Sequence, residues 1–201
     1  MKVYFAGPLF TPYVRDYLSR QAQVLRDHGI EVFVPHEAFR PEIPARKAEE
    51  LVRIGLLAPE DVHSPDLPEK VSDLVRRGRV SREALDLPPS TPETIFRVDY
   101  EGLSSSNVVL ALLDGTQVDD GTACEIGIFY GLLRGDPSKK GIIGFSTDFR
   151  GLRRPEQGFG VNLFVWGVIE ECGALLSDFD AVIARLKAWD GADVEQEGAP
   201  E

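Results

Sequence analysis

Asn107 to Gly115, NVVLALLDG, is the most apolar run in the chain, and its reading decides the fold. A short apolar run with no polar alternation, stopped by Asp114-Gly115, is what a parallel strand buried on both faces looks like. Working outward, Thr91-Pro92-Glu93-Thr94 starts a helix through about Leu103, with Pro92 at the first helical position. On the other side, a loop holding Asp119 and Asp120 leads into a helix from Thr122 to about Leu133. At the start of the chain KVYFA, Lys2 to Ala6, is a strand-forming run stopped by Gly7-Pro8. Val14, Leu18, Ala22 and Leu25 then recur at helical steps, and Gly29 ends them before a second strand in Ile30 to Pro35. Strand, helix, strand is a βαβ unit with a right-handed crossover. GIIGF, Gly141 to Phe145, is a further strand, followed by a loop with Arg150, Arg153 and Arg154. An apolar segment, Val161 to Ile169, and a helix from about Asp178 to Trp189 complete the core. The alternation predicts an α/β fold with a doubly wound parallel sheet, whose ligand sites lie past the carboxyl ends of the strands.

The stretch from about His36 to Ser90 is polar and broken by seven prolines, Pro41, Pro44, Pro59, Pro65, Pro68, Pro88 and Pro89. It reads as a helical insertion after the second strand, covering one edge of the core, with short helical pieces such as Glu69 to Arg76 and Ser81 to Leu85. No run in it supplies a strand, so residues 1–189 form a single domain. Residues 190–201, with five acids and no base, form a flexible acidic tail. Across 201 residues, 22 Lys and Arg face 33 Asp and Glu, a formal net charge of −11. That balance excludes a nucleic-acid backbone or an anionic membrane as the main partner. Two cysteines without a CxxC pair and three scattered histidines exclude a structural zinc, and no metal or cofactor is expected. No stretch reaches the roughly 18 apolar residues of a membrane span. Gly7 and Pro8 break the first apolar run too early for a signal peptide, so the chain reads as soluble and cytoplasmic.

The densest chemistry lies in DGTQVDDGTACEIG, Asp114 to Gly127. Thr122 to Glu125 fits a capping box, in which Glu125 only bonds back to the Thr122 amide. The same placement suits a nucleophile. A carboxylate in the first turn of a helix is favoured in its ionised form and can attack an electrophilic carbon such as a sugar anomeric centre. Asp119 can hold or donate a proton beside it, while Asp120 reads as a solvated turn residue. Asp99 lies on the preceding helix among Phe96, Val98 and Leu103, either on its surface or pointed into the site. Tyr4, inside the first strand, needs a partner for its hydroxyl when buried, and a carboxylate of the site is a natural one.

AGPLF after the first strand, the helix bearing Asp99, the stretch DDGTACEIG and the late GFGVNLF resemble, in that order, the nucleoside 2-deoxyribosyltransferases. STDFRG with the later GFG is similar to the purine-preferring branch. The resemblance covers both flanks of the chain and skips the insertion. It implies a flavodoxin-like sheet of five strands in the order 2-1-3-4-5. It also implies transfer of 2-deoxyribose between nucleobases, through Glu125 as the nucleophile at the anomeric carbon. Tyr4 would hold that glutamate, and Asp99 and Asp119 would contact the base and move its proton. Gly7 and Phe10 would line the substrate site, Phe10 stacking on the base. Asn162 would reach the sugar of a neighbouring subunit's site, with Phe164 as an apolar lining residue. Deoxynucleosides and nucleobases would then be the partners, in nucleotide salvage, and the protein a homo-oligomer whose sites a neighbour completes. By default Phe10 and Phe164, bulky residues in apolar segments, are core.

Two other readings stand beside this one. With water in place of the acceptor base, the same Glu125 would hydrolyse a nucleoside or nucleoside 5′-monophosphate. Arg150, Arg153, Arg154 and Ser104-Ser105-Ser106 would then be candidate phosphate donors. A non-catalytic nucleotide-binding module is the alternative of another class, since such sheets host many functions. The absence of GxGxxG after the first strand argues against a dehydrogenase.

Overall fold

The computed structural model describes residues 1–39, 43–87, 91–148 and 161–197. The chain divides into two compact units, one of Met1–Pro35 with Asp99–Glu201 and the other of His36–Val98.

The first unit holds a sheet of five parallel strands, β1 (Lys2–Ala6), β2 (Glu31–Phe33), β3 (Val108–Leu112), β4 (Gly141–Phe145) and β5 (Gly173–Leu176), in the order β2-β1-β3-β4-β5. This is the flavodoxin-like order that the family resemblance implies. β3 is buried along its whole length, as a central strand flanked on both faces must be. Alternation along the strands builds two apolar layers. One face carries Val3, Phe5, Val108, Leu110 and Leu112. Against it pack α1 (Pro12–Asp27), through Leu18, Ala22 and Leu25, and the last helix through Val182 and Leu186. The other face carries Tyr4, Ala6, Val109, Ala111 and Leu113. It is covered by Leu103, Ile126, Phe129 and Ile169 from three helices. In the second unit α2 (Pro35–Ala38) begins one residue before its boundary, followed by α3 (Ala45–Arg53) and α4 (Leu67–Arg76). α5 (Pro92–Ser104) leads from that unit back into the first. The first unit continues with α6 (Asp120–Leu133), α7 (Leu163–Cys172) and α8 (Phe179–Glu197).

Several boundaries differ from the sequence reading. The apolar segment Val161 to Ile169, to which the pattern assigns no element, forms most of α7, and the fifth strand follows it at Gly173. Its apolar residues pack against the sheet and α6, so no clear period marks it as a helix. α8 continues past Trp189 to Glu197, over most of the stretch expected to be a loose acidic tail. Trp189 packs against the α1 layer, which anchors the helix where fraying is expected to begin.

The residues expected to form the insertion fall in the second unit, whose regular elements among the described residues are all helical. It has its own apolar cluster, Ala48, Leu51, Leu67, Val71, Leu85 and Leu87. The expected helix at Glu69 to Arg76 begins two residues earlier, and Ser81 to Leu85 contracts to a 3-10 turn at Glu83–Leu85. Another 3-10 turn, Pro59–His63, carries the buried Asp61, which accepts from the Ala58 amide at 2.8 Å and from the Lys70 ammonium. Pro44 and Pro59 stand at or beside the starts of helical elements and Pro68 within the first turn of α4, where a missing N–H costs nothing. Pro41, Pro88, Pro89, the arginines 150, 153 and 154 and the GFG at 158–160 lie outside the described residues.

Truncating the central strand tests this core. Leu110→Ala is expected to lower the unfolding free energy by about 3 kcal/mol in a denaturant titration, the usual cost of a cavity at a fully buried leucine.

Candidate active site

The site is built on the face of the sheet that carries Tyr4. Strand alternation points this ring inward at the middle of β1, where it is fully buried. Its hydroxyl donates to Glu125 Oε1 at 2.6 Å, a short bond typical of a carboxylate acceptor. Glu125 is held in place from the other side by α6, which follows the carboxyl end of β3.

The local start of α6 decides what Glu125 is free to do. The capping box would need Thr122 as the cap. Instead the helix begins at Asp120, and Asp119 is the cap residue. Its Oδ2 accepts from the Thr122 amide at 3.1 Å and the Thr122 hydroxyl at 3.3 Å. Asp119 therefore does the capping work, and Glu125 falls in the second turn, where its carboxylate turns to Tyr4. Asp120 is exposed and accepts from the next amide, Gly121, at 2.9 Å.

Burial sets the electrostatics. Desolvation pushes the Glu125 carboxyl up to about 7. The Tyr4 hydrogen bond opposes this shift, and the charges of Asp99 and Asp119 add to it. The ionised form expected from a first-turn position is thus not the dominant tendency, because loss of water outweighs the helix end one turn away. Desolvation also pushes Asp99 up to about 6. One of its oxygens, Oδ1, is buried without a hydrogen-bond partner among the described residues. Asp99 raises both Glu125 and the Tyr4 hydroxyl, so of its two possible placements the structure selects the one facing the site. The Tyr4 hydroxyl is raised strongly by burial and stays a donor.

Tyr4, Asp99, Asp119 and Glu125 are thus drawn together from β1, α5, the cap of α6 and its second turn. The other sequence candidates fare differently. Gly7 is buried, and a Cβ there would stand 3.2 Å from Leu112 Cβ and from Leu18 Cδ2. Phe10 and Phe164 are not core but 82% and 83% exposed. Phe10 lies two residues before α1, and Phe164 is the second residue of α7. Asn162 is exposed and caps α7, its Oδ1 accepting from the Phe164 amide at 2.9 Å. Ser104, Ser105 and Ser106 precede β3 and so lie at the amino edge of the sheet. There Lys139 donates to the carbonyls of Ser104 and Ser106, and Lys2 to the Ser105 hydroxyl. They are too far along the strand to serve as phosphate donors at the carboxyl edge.

Sequence reasoning missed three supporting residues. Asp114 accepts from Ser146 Oγ at 3.0 Å and the amides of Thr147 and Asp148 at 2.7 and 3.1 Å, tying the loops after β3 and β4 together. Phe33 stacks on Tyr4, and Gly102 of α5 abuts Phe33. A glycine inside a helical pattern was the available signal for the last. A cavity of about 400 Å³ opens at the carboxyl edge on the α1 side, between Tyr13, Tyr17, Leu112 and Asp114, and none of the four site residues lines it. Among the described residues no group of three His, Cys, Asp or Glu side chains is arranged to hold a metal ion, and no helix is long and apolar enough to cross a membrane.

The fold defines a doubly wound, flavodoxin-like α/β protein, and its site pairs a buried tyrosine with two carboxyls of raised pKa. The comparisons narrow that class. The family model of the nucleoside 2-deoxyribosyltransferases matches residues 3–200, and the chain belongs to this family. Among solved structures it is similar to a conserved protein from Enterococcus faecalis V583, at 20% identity with a TM-score of 0.59, over 94% of this chain and 98% of that one. It is also similar to a 2-deoxyribosyltransferase from Bacillus psychrosaccharolyticus, at 22% identity with a TM-score of 0.50, over 91% and 90% of the two chains. At these identities the likeness speaks to the fold. A search of curated protein sequences finds no significant match.

The raised Glu125 carboxyl also sets a stability trend. A carboxyl whose folded pKa lies above the ordinary 4.5 favours the folded state at low pH, and that contribution is lost as pH rises through about 7. Glu125→Gln, which never ionises, is therefore expected to melt on the order of 3 °C above the parent at pH 8, with the difference closing toward pH 4. Thermal unfolding across that range checks it.

Proposed function

We propose that the protein is a nucleoside 2-deoxyribosyltransferase, moving 2-deoxyribose from one nucleobase to another through a covalent ester on Glu125. The observation that carries this reading is the 2.6 Å bond from the Tyr4 hydroxyl to Glu125 Oε1. It fixes one carboxylate oxygen and leaves the other for attack. In the first half-reaction a Glu125 oxygen bonds to C1′, the bond from C1′ to the base nitrogen breaks, and its electron pair goes to the base. The base takes a proton from Asp99, whose burial keeps a proton within reach near neutral pH. In the second half an acceptor base attacks C1′, gives a proton back to Asp99, and Glu125 leaves. Asp119 caps α6 and adds its charge to the site, and in this reading it also contacts the base. Positive charge developing on the sugar is stabilised by the glutamate before the ester forms.

The finer assignments belong to the same proposal. The STDFRG and later GFG motifs support a preference for purines. The exposed Leu163 and Phe164 beside Asn162 support a homo-oligomer in which a neighbour's Asn162 reaches the sugar. The reaction exchanges bases on existing nucleosides, which fits cytoplasmic salvage.

Chromatography after mixing the protein with deoxyinosine, with and without adenine, tests the reaction. Deoxyadenosine is expected only with adenine present, and Glu125→Gln should slow its formation by at least ~10³-fold. Hypoxanthine and free deoxyribose released equally in both mixtures would make the protein a hydrolase instead.

The pH profile follows from the pair. The working state has Glu125 ionised and Asp99 protonated, the minor of the two ways the pair can hold one proton, since the higher value belongs to Glu125. Below about 6 both are protonated and the nucleophile is lost, and above about 7 both ionise and the donor is lost. A bell-shaped kcat/KM with its maximum between these values is expected, and Asp99→Asn should abolish the alkaline limb.

A further inference from the structure

Phe33 and Gly102 take no part in the chemistry above, yet they bear on both of its carboxylates. Phe33 closes β2 and pairs in register with Tyr4 on β1. The two rings stack at a centroid distance of 5.3 Å and an interplanar angle of 16°. On its other side the Phe33 ring meets the backbone of α5. A Cβ on Gly102 would stand 2.5 Å from Phe33 Cε1, 2.6 Å from Cζ and 2.8 Å from Cδ1. No side chain tolerates such distances, so the ring occupies the space that any other residue would need at position 102. The Lys2 ammonium lies 5.9 Å from the ring centroid and adds a cation–π contact. Asp99 precedes Gly102 by three residues, on the same side of α5 and one turn nearer the carboxyl edge of the sheet. Gly102, Phe33, Tyr4 and Glu125 therefore form one continuous row across the face of the sheet.

We propose that Phe33 is a positioning residue, a spacer wedged between Gly102 and Tyr4. It sets where the Tyr4 hydroxyl meets Glu125 and how close α5 brings Asp99 to that carboxylate. Gly102 is its necessary counterpart, since only a residue without Cβ lets α5 rest on the ring. The consequence for catalysis rests on the reading of Glu125 and Asp99 as the reacting pair, whereas the geometric claim does not. A pair of ordinary core residues would change stability when altered and leave the site as it is. A spacer would change the site itself.

Carboxyl ¹³C NMR of glutamate-labelled protein reads the titration of Glu125 without any substrate. The groups facing that carboxyl are Tyr4 from β1, Asp99 from α5 and Asp119 from the start of α6. In Gly102→Ala the Cβ displaces the ring and with it Tyr4. The Glu125 midpoint is expected to move upward, in the direction produced by Tyr4→Phe, and kcat for transfer to fall about 10-fold or more with a smaller change in KM. In Gly102→Ala/Phe33→Leu the shorter side chain vacates the space for the new Cβ. This double variant is expected to lie closer to the parent in both readouts than either single variant. If Gly102→Ala does not fold, Phe33→Leu alone carries the test and must displace the Glu125 midpoint. Folded single variants with the parental midpoint, or a double variant no better than Gly102→Ala, would overturn the spacer. A parent protein that titrates as described but transfers no deoxyribose would instead sink the proposed function, and the NMR result would still decide the spacer.

Discussion

The hydrogen bond from Tyr4 to Glu125 joins residues 121 positions apart, and the arrangement of the whole site depends on it. A carboxylate brought out of water is costly unless something donates to it. Tyr4 supplies that donor from within the sheet, where its own ring is locked by packing. The bond also leaves Glu125 poised rather than fixed in one charge state. Burial pulls it toward the neutral form and the hydrogen bond toward the charged form, so its titration falls near neutrality.

The fold serves this bond by geometry. Parallel strands place their carboxyl ends along one edge, and the order β2-β1-β3-β4-β5 sets β1 directly beside β3. A side chain from the middle of β1 then meets the helix that leaves β3. α5 runs back alongside the same strands and presents Asp99 to the same point. Asp114 holds the loops after β3 and β4 together at that edge. The opposite edge is closed by Lys139, nearly buried, which satisfies the carbonyls at the end of α5. One edge of the sheet gathers the carboxylates and the other is closed by lysine-to-carbonyl hydrogen bonds.

Division of labour between neighbouring carboxylates recurs at the start of α6. Asp119 and Glu125 are both acids close to a helix N-terminus, and either is a reasonable cap by residue type alone. A start at Asp120 gives the capping role to Asp119, which leaves Glu125 free. The same segment thus stabilises its own helix and carries the buried carboxylate, with no residue asked to do both. At the surface, Phe10, Leu163 and Phe164 stand far more exposed than their composition suggests. An apolar side chain held out on a helix start is costly in a lone subunit, and the proposed oligomer would cover it.

Local pattern was enough for the α/β class, the parallel sheet and four of its strands, and it singled out Tyr4, Asp99, Asp119 and Glu125 as candidates. Those features rest on short-range physics: the uninterrupted apolar run of β3, the helical steps of α1, and the stops at Gly7-Pro8 and Gly29. β5 was not legible, because Gly173–Leu176 is short and follows an apolar helix without a boundary that propensity marks. Whether Glu125 takes part in capping α6 was not legible either, since that depends on which residue starts the helix. Tertiary structure alone decided the direction of the Glu125 and Asp99 shifts, because desolvation is set by what surrounds a group and not by its neighbours in sequence. It also alone decided that Gly102 meets Phe33, a contact between elements 69 residues apart that no periodicity within either one encodes.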